Sequence, residues 1–149
     1  MEIIVIGPEP PCIRCNTTLK RAKEVAQQYS GQIEVRRIAT HTEEAAEYGK
    51  VETGHEIEQV GNVKPDIESM QRLVKELDEL KVDEEKNESL IDAKLKELEK
   101  AITPVKVKAK ELGYLMTPVL IVNNQVKSMD YVPSKEEIRG WIEIELRRK

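Results

Sequence analysis

Two thiols stand one helical turn apart in Cys12-Ile13-Arg14-Cys15, and they are the only cysteines in a chain of 149 residues. Paired thiols can exchange electrons as a dithiol–disulfide couple, clamp a soft metal, or pack as inert small hydrophobes. The first use needs one thiol ionised and the other within reach. A thiol at the start of a helix meets unpaired backbone N–H groups and the positive end of the helix dipole, both of which favour the thiolate. Cys12 holds that place. Cys15, one turn on, is close enough to attack a mixed disulfide and release the product. Arg14 adds positive charge to the same end and is read as a tuning residue; an exposed first-turn arginine with no role is the competing reading. A clamp for Cu(I), Zn or arsenite would need further ligands, and no other thiol is present. His41 and His55 both stand beside capping residues in polar stretches, so no metal ligand set is assigned.

The flanking sequence supplies the strand and helix that would position this pair. Glu2-Ile3-Ile4-Val5-Ile6 is a short apolar run stopped by Gly7-Pro8, which reads as a buried strand. Pro8, Pro10 and Pro11 hold an extended loop and forbid a helix before Cys12. From Ile13 the apolar residues Leu19, Ala22, Val25, Ala26 and Tyr29 recur at helical spacing, and Gly31 follows as a stop. Ile33, Val35 and Ile38 make a second strand. A β-α-β opening implies parallel strands and a right-handed crossover. At the other end, Pro118–Val122 reads as a strand, Asn123-Asn124 as a tight turn, and Gln125–Tyr131 as the returning strand. Ser134 and Glu137 form a capping box for a last helix through Ile138, Trp141, Ile142 and Leu146, whose end is complemented by Arg147, Arg148 and Lys149.

Between these ends the composition changes. Residues 64–102 hold eight Lys/Arg and twelve Asp/Glu, which accounts for the whole net charge of −4. Such a shift marks 41–103 as an insertion with its own structural job. Short helices are predicted at 43–48, capped by Thr40 and Glu43, and at 54–60, opened by Thr53 and Glu56. Ile67, Met70, Val74 and Leu77, then Ile91, Leu95, Leu98 and Ile102, keep one heptad phase, but Lys81, Glu84 and Glu88 interrupt the seam. Two readings stand: a helical hairpin turning near 82–88, or one long helix at 65–102 that pairs in a coiled coil. Thr103-Pro104 opens a further helix that Gly113 ends.

Ile3–Gly7, Cys12-Ile13-Arg14-Cys15, Met116-Thr117-Pro118, the hairpin Val119–Val126 and Val132-Pro133-Ser134-Lys135-Glu136-Glu137-Ile138 together resemble a thioredoxin-fold protein. The resemblance is closest to the small bacterial and archaeal thioredoxin-like proteins often called redox-active disulfide proteins. It implies an α/β fold, β-α-β then α-β-β-α, built from 1–40 and 104–149 with the helical insertion 41–103 after the second strand. It further implies that Cys12 attacks, that Cys15 resolves, and that Pro118 is a cis-proline. The backbone at Thr117 would then pair with an extended thiol substrate across from Cys12. There are departures from the family pattern. The Trp-Cys-Gly-Pro-Cys sequence is absent, the first strand has no buried acid, and Asp130 stands where small relatives would carry Gly. No glycine pair follows Val126, which argues against glutathione as dedicated cosubstrate. The insertion resembles the arrangement in DsbA-type oxidoreductases, where it would overhang the dithiol and select the partner.

The expected function is thiol–disulfide exchange with a protein or peptide partner, with no organic cofactor because the dithiol is the redox centre. Two alternatives use the same residues differently. One is a non-enzymatic module that binds a soft metal or metalloid; the other is an interaction protein that forms a homodimer through the helical insertion and uses the dithiol as a switch. The acidic balance argues against nucleic acid. No apolar run approaches a membrane span, and the opening residues lack the basic region of a signal peptide. The expected compartment is the cytoplasm.

Overall fold

The computed structural model describes residues 1–148, so the dipole-complementing role read for Lys149 lies outside the described residues. The chain is mixed α/β with a small sheet, and it divides into two compact units. The first unit is Met1–Thr53 with Gly113–Lys149, and the second is Gly54–Leu112. These limits differ from the expected insertion. Residues 41–53 belong with the sheet, while 104–112 belong with the helices of the second unit.

In the first unit, β1 (Glu2–Gly7) lies parallel to β2 (Glu34–Ala39), with α1 (Ile13–Ala26) as the crossover. The hairpin strands β5 (Val119–Val122) and β6 (Gln125–Met129) complete a sheet of order β2-β1-β5-β6, with β5 antiparallel to both neighbours. Successive residues of a strand face opposite sides, so a central strand covered on both sides must be apolar throughout. Ile3, Val5, Leu120 and Val122 meet Ala22 and Val25 of α1 and Ile138 and Ile142 of α7 (Lys135–Arg147). On the opposite face Ile4, Ile6, Ile38, Val119 and Ile121 pack with Ala45 and Val51. That alternation explains the near-continuous apolar run at 3–6. A chain with no phenylalanine fills this core with branched aliphatic residues.

The turns follow their chemistry. Asn123 and Asn124 both adopt positive φ, 52° and 67°, as a two-residue hairpin requires. The capping box at Ser134 forms in both directions: the Ser134 hydroxyl accepts from the Glu137 N–H, and the Glu137 carboxylate accepts from the Ser134 N–H. Helix α2 (Glu43–Ala46) is shorter than predicted and is capped by Thr42 rather than Thr40, because the Thr42 hydroxyl accepts from the Ala45 N–H. After it, β3 (Val51–Glu52) pairs in parallel with β4 (Leu115–Met116), a two-stranded sheet that the sequence pattern does not announce.

The second unit consists of α3 (Gly54–Gly61), α4 (Ile67–Leu80), α5 (Glu88–Ala101) and α6 (Thr103–Leu112). The tract 65–102 is a hairpin, and the single long helix does not form. A 3-10 turn at Lys81–Asp83 breaks it, and the Asn87 side-chain amide donates to the Leu80 carbonyl at 3.0 Å across the turn. Lys81, Glu84 and Glu88 put polar side chains on the seam there and Val82 points to solvent, whereas folding back buries Leu73 and Leu77 together with Ile91, Leu95 and Leu98. The seam is also rotated from the predicted one. Leu73 is buried and Ile67 is 44% exposed, so the apolar face of α4 runs through Leu73 and Leu77. Across the hairpin the Lys94 ammonium pairs with Glu76 at 2.6 Å. Thr103 does not cap α6; its hydroxyl turns back to the Glu99 carbonyl at 3.0 Å. Among the described residues, no helix is long and apolar enough to cross a membrane.

Candidate active site

The loop between β1 and α1 is tied down from β2. Arg37 reaches the Glu9 carboxylate with Nη1 at 2.6 Å and the Pro8 carbonyl with Nη2, and the Glu9–Pro10 bond is cis. Three prolines in four positions exclude a helix, and the chain bends at Glu9-Pro10 instead of running extended as the sequence suggests, so the helix begins only after Cys12. Cys12 is the residue that caps it. Its backbone is extended (φ −77°, ψ 170°), and its sulfur accepts from the Cys15 N–H at 3.4 Å. The first turn of α1 carries no acidic side chain to oppose a thiolate.

The two sulfurs lie 3.2 Å apart as free thiols, against about 2.05 Å for a disulfide bond. Cys12 is exposed and Cys15 is buried. Their ionisation is opposed as well. The Cys12 thiol is lowered to about 6, first by its hydrogen bond with Cys15, then by the Cys15 N–H and the Arg14 charge, against the opposing effect of burial. Cys15 is pushed well up, first by the same hydrogen bond, then by burial and the negative charge of Cys12. Once Cys12 is ionised, the Cys15 S–H is the only donor between the two sulfurs, so one proton is shared unequally and stays on the buried partner.

Cys15 fits because residue 7 has no side chain. A Cβ at Gly7 would stand 2.7 Å from the Cys15 sulfur and 2.9 Å from its Cβ. The glycine that reads in the sequence as a strand stop is therefore also the floor under the buried thiol.

Arg14 is not the exposed first-turn arginine of the competing reading. Only 8% of it is accessible, and its guanidinium reaches residues far along the chain. Nη1 donates to the Thr117 carbonyl at 3.4 Å and Nη2 to the Asp130 carbonyl. Asp130 sits at φ +63°, which explains why a glycine would suit the position; Asp is among the residues that tolerate it. Its N–H donates to the carbonyls of Met116 at 2.8 Å and Pro118 at 3.1 Å. Arg14 thus lends its charge to Cys12 and joins the start of α1 to the turns on either side of the hairpin.

The Thr117–Pro118 bond is cis, and both residues are buried. The two main-chain groups of Thr117 are engaged inside the chain: its carbonyl with Arg14, and its N–H with the Glu52 carbonyl at 3.0 Å. The pairing with an extended substrate implied by the resemblance meets occupied groups, because β3 lies along that edge. The histidines stay with local partners, His41 with Glu52 at 2.9 Å and His55 with Gln59 at 3.3 Å. Among the described residues, no third His, Cys, Asp or Glu donor lies within 4.8 Å of both sulfurs.

Sequence reasoning named both thiols and the Thr117-Pro118 pair; the structure brings the two sulfurs together and joins Thr117 to Arg14. It missed the contact of Gly7 with Cys15 and the burial of Arg14. A glycine ending a strand five residues before a cysteine was the available signal for the first; nothing local signals the second, whose partners lie 103 and 116 residues away. No protein-family model, curated protein or solved structure matches the chain.

Four measurable outcomes follow from this geometry. With a pKa of about 6, Cys12 is about nine-tenths ionised at pH 7, so its alkylation by iodoacetamide should rise with pH through about 6 and level off above. Because the bond from Cys15 is the largest cause, Cys15→Ala should move that midpoint upward, toward the ordinary value of about 8.5, further than Arg14→Met does. Equal shifts would contradict the ranking. Gly7→Ala should destabilise the reduced protein in urea by about 1–3 kcal/mol through overpacking. Gly140→Ala, where an added Cβ meets nothing within 4 Å on helix α7, should instead stabilise it by about 0.8–1.0 kcal/mol.

Proposed function

We propose that this chain is a thiol–disulfide oxidoreductase with a thioredoxin-like fold, in which Cys12 attacks and Cys15 resolves. The observation that carries the reading is the asymmetry of the pair: two free thiols 3.2 Å apart at a helix start, the exposed one ionised near neutrality and the buried one protonated. Inert packing would not need this division, since a structural thiol is buried and neutral. For the fold, the reading draws support from the sheet order β2-β1-β5-β6, the parallel β1–β2 pair, and helices α1 and α7 on one face.

In this reading the exchange runs in two steps. The Cys12 thiolate attacks one sulfur of a disulfide R–S–S–R, forming a Cys12–S–S–R bond and expelling RS⁻, which takes a proton from solvent. Cys15 then loses its proton and attacks the Cys12 sulfur, forming the Cys12–Cys15 disulfide and expelling the second RS⁻. The protein dithiol is oxidised by two electrons and the substrate is reduced to two thiols. Run backward, the same steps reduce the protein. Neutralising Cys12 as it joins the mixed disulfide removes the acceptor that held the Cys15 proton, which frees Cys15 to ionise when its turn comes. In this reading Thr117, joined to Arg14 through its carbonyl, and Pro118 position the substrate, and no organic cofactor is required. The proposed compartment is the cytoplasm, where an exposed dithiol of this kind stays reduced until its substrate arrives.

The assignment of roles is tested with bis(2-hydroxyethyl) disulfide and mass spectrometry. The wild-type protein should form an internal disulfide, Cys15→Ser should halt as a stable mixed disulfide on Cys12, and Cys12→Ser should react slower by on the order of a hundredfold or more. Wild-type rates in Cys12→Ser would overturn the assignment.

A further inference from the structure

The edge at residues 115–117, joined to the dithiol turn through Arg14, is filled by the chain's own backbone. Val51 lies opposite Leu115 and Glu52 opposite Met116 in the parallel β3–β4 pair. The Leu115 N–H donates to the Lys50 carbonyl at 2.8 Å, and the Thr117 N–H donates to the Glu52 carbonyl at 3.0 Å. On its other side, Thr117 gives its carbonyl to Arg14 at 3.4 Å. A polypeptide that adds to a strand edge makes its affinity from main-chain bonds, an N–H and a C=O exchanged with the residue opposite. The single Thr117 N–H is already spent on Glu52 and its carbonyl is shared with Arg14, so the paired exchange cannot form.

The strap formed by residues 50–52 is built in. Val51 is 6% exposed and packs in the cluster of Ile4, Ile6, Ile38 and Ile121 beneath the sheet. The Glu52 carboxylate is paired with His41 at 2.9 Å. Gly49, at φ +136°, turns the chain into the strap in a conformation that other residues rarely adopt. Cys12, by contrast, is exposed. A disulfide that needs only collinear approach to one sulfur reaches it without any main-chain pairing.

Resting on the exchange reading above, we propose that the strap restricts Cys12 to low-molecular-weight disulfides and thiols, and that it excludes extended polypeptides docking by strand addition at Thr117. The substrate class therefore differs from the protein or peptide that the sequence leads one to expect. The chemistry is the exchange already balanced: a small disulfide accepts two electrons from the dithiol and leaves as two thiols.

The test compares, on the reduced full-length protein, two probes that share a 2-mercaptoethanol half. One is bis(2-hydroxyethyl) disulfide. The other is an unstructured ten-residue peptide whose single cysteine is capped by 2-mercaptoethanol as a mixed disulfide. Wild-type protein should react with the peptide no faster than with the small disulfide. A peptide rate faster by about tenfold or more, what one or two net main-chain hydrogen bonds contribute, would overturn the proposal. Val51→Asp places a carboxylate in the apolar cluster under the strap and should raise the peptide rate by about tenfold relative to the small disulfide. An unchanged ratio in the folded variant counts against the strap. Should that variant fail to fold, hydrogen exchange of the wild-type Thr117 amide decides: protection is expected, and exchange at the rate of an unstructured peptide would overturn the proposal. If neither probe oxidises the dithiol, it is the exchange reading itself that fails.

Discussion

A buried cation holds the site together. Taking a guanidinium out of water costs several kcal/mol unless its donors are satisfied and a negative charge lies near. Arg14 meets that demand with the carbonyls of Thr117 and Asp130 and with the adjacent Cys12 sulfur, whose thiolate it favours. The three partners come from the start of α1 and from both sides of the β5–β6 hairpin. Satisfying one charge therefore fixes where the helix begins relative to the loop before β5. The Asp130 backbone, at positive φ, bends so that its carbonyl can take part.

Around that anchor the thiols are sorted by exposure. Gly7 leaves room for Cys15 to sink beneath the helix start, and Arg37 ties down the bent proline loop that leads to the exposed Cys12. Burial raises the pKa of a thiol and a hydrogen bond to a thiolate lowers it. Placing one sulfur inside and one outside, within bonding distance, turns both effects to the same end. The pair shares a proton that the inner sulfur keeps. The second unit holds the most densely charged tract of the chain. Its charges are mostly solvated faces, and exposed pairs such as Arg72 with Glu76 contribute about 0–1 kcal/mol each.

Local signals in the sequence carried far. The apolar run at 3–6, the Asn123-Asn124 turn, the Ser134–Glu137 box and the prolines before Cys12 each encode a nearest-neighbour preference, and each element formed where that preference put it. Boundaries shifted where two local preferences competed, as when Thr42 rather than Thr40 capped α2. The heptad phase of 67–77 misplaced the seam because apolar residues outnumber the buried positions there; packing chose Leu73 over Ile67. The placement of α6 with α3, α4 and α5, and the two-residue strands β3 and β4, depend on contacts distant in sequence. So does the burial of Arg14. An arginine between two cysteines reads as surface charge until the residues that satisfy it are in place.

The most direct measurement is a redox titration of metal-free protein in graded dithiothreitol buffers, with thiol trapping and mass spectrometry to count free thiols. The account predicts one two-electron transition between a form with two free thiols and a form with a Cys12–Cys15 disulfide, at a potential of about −200 to −280 mV. Two free thiols persisting at every poise would contradict it, because sulfurs 3.2 Å apart need only a small approach to reach the roughly 2.05 Å of a disulfide once an oxidant takes their two electrons.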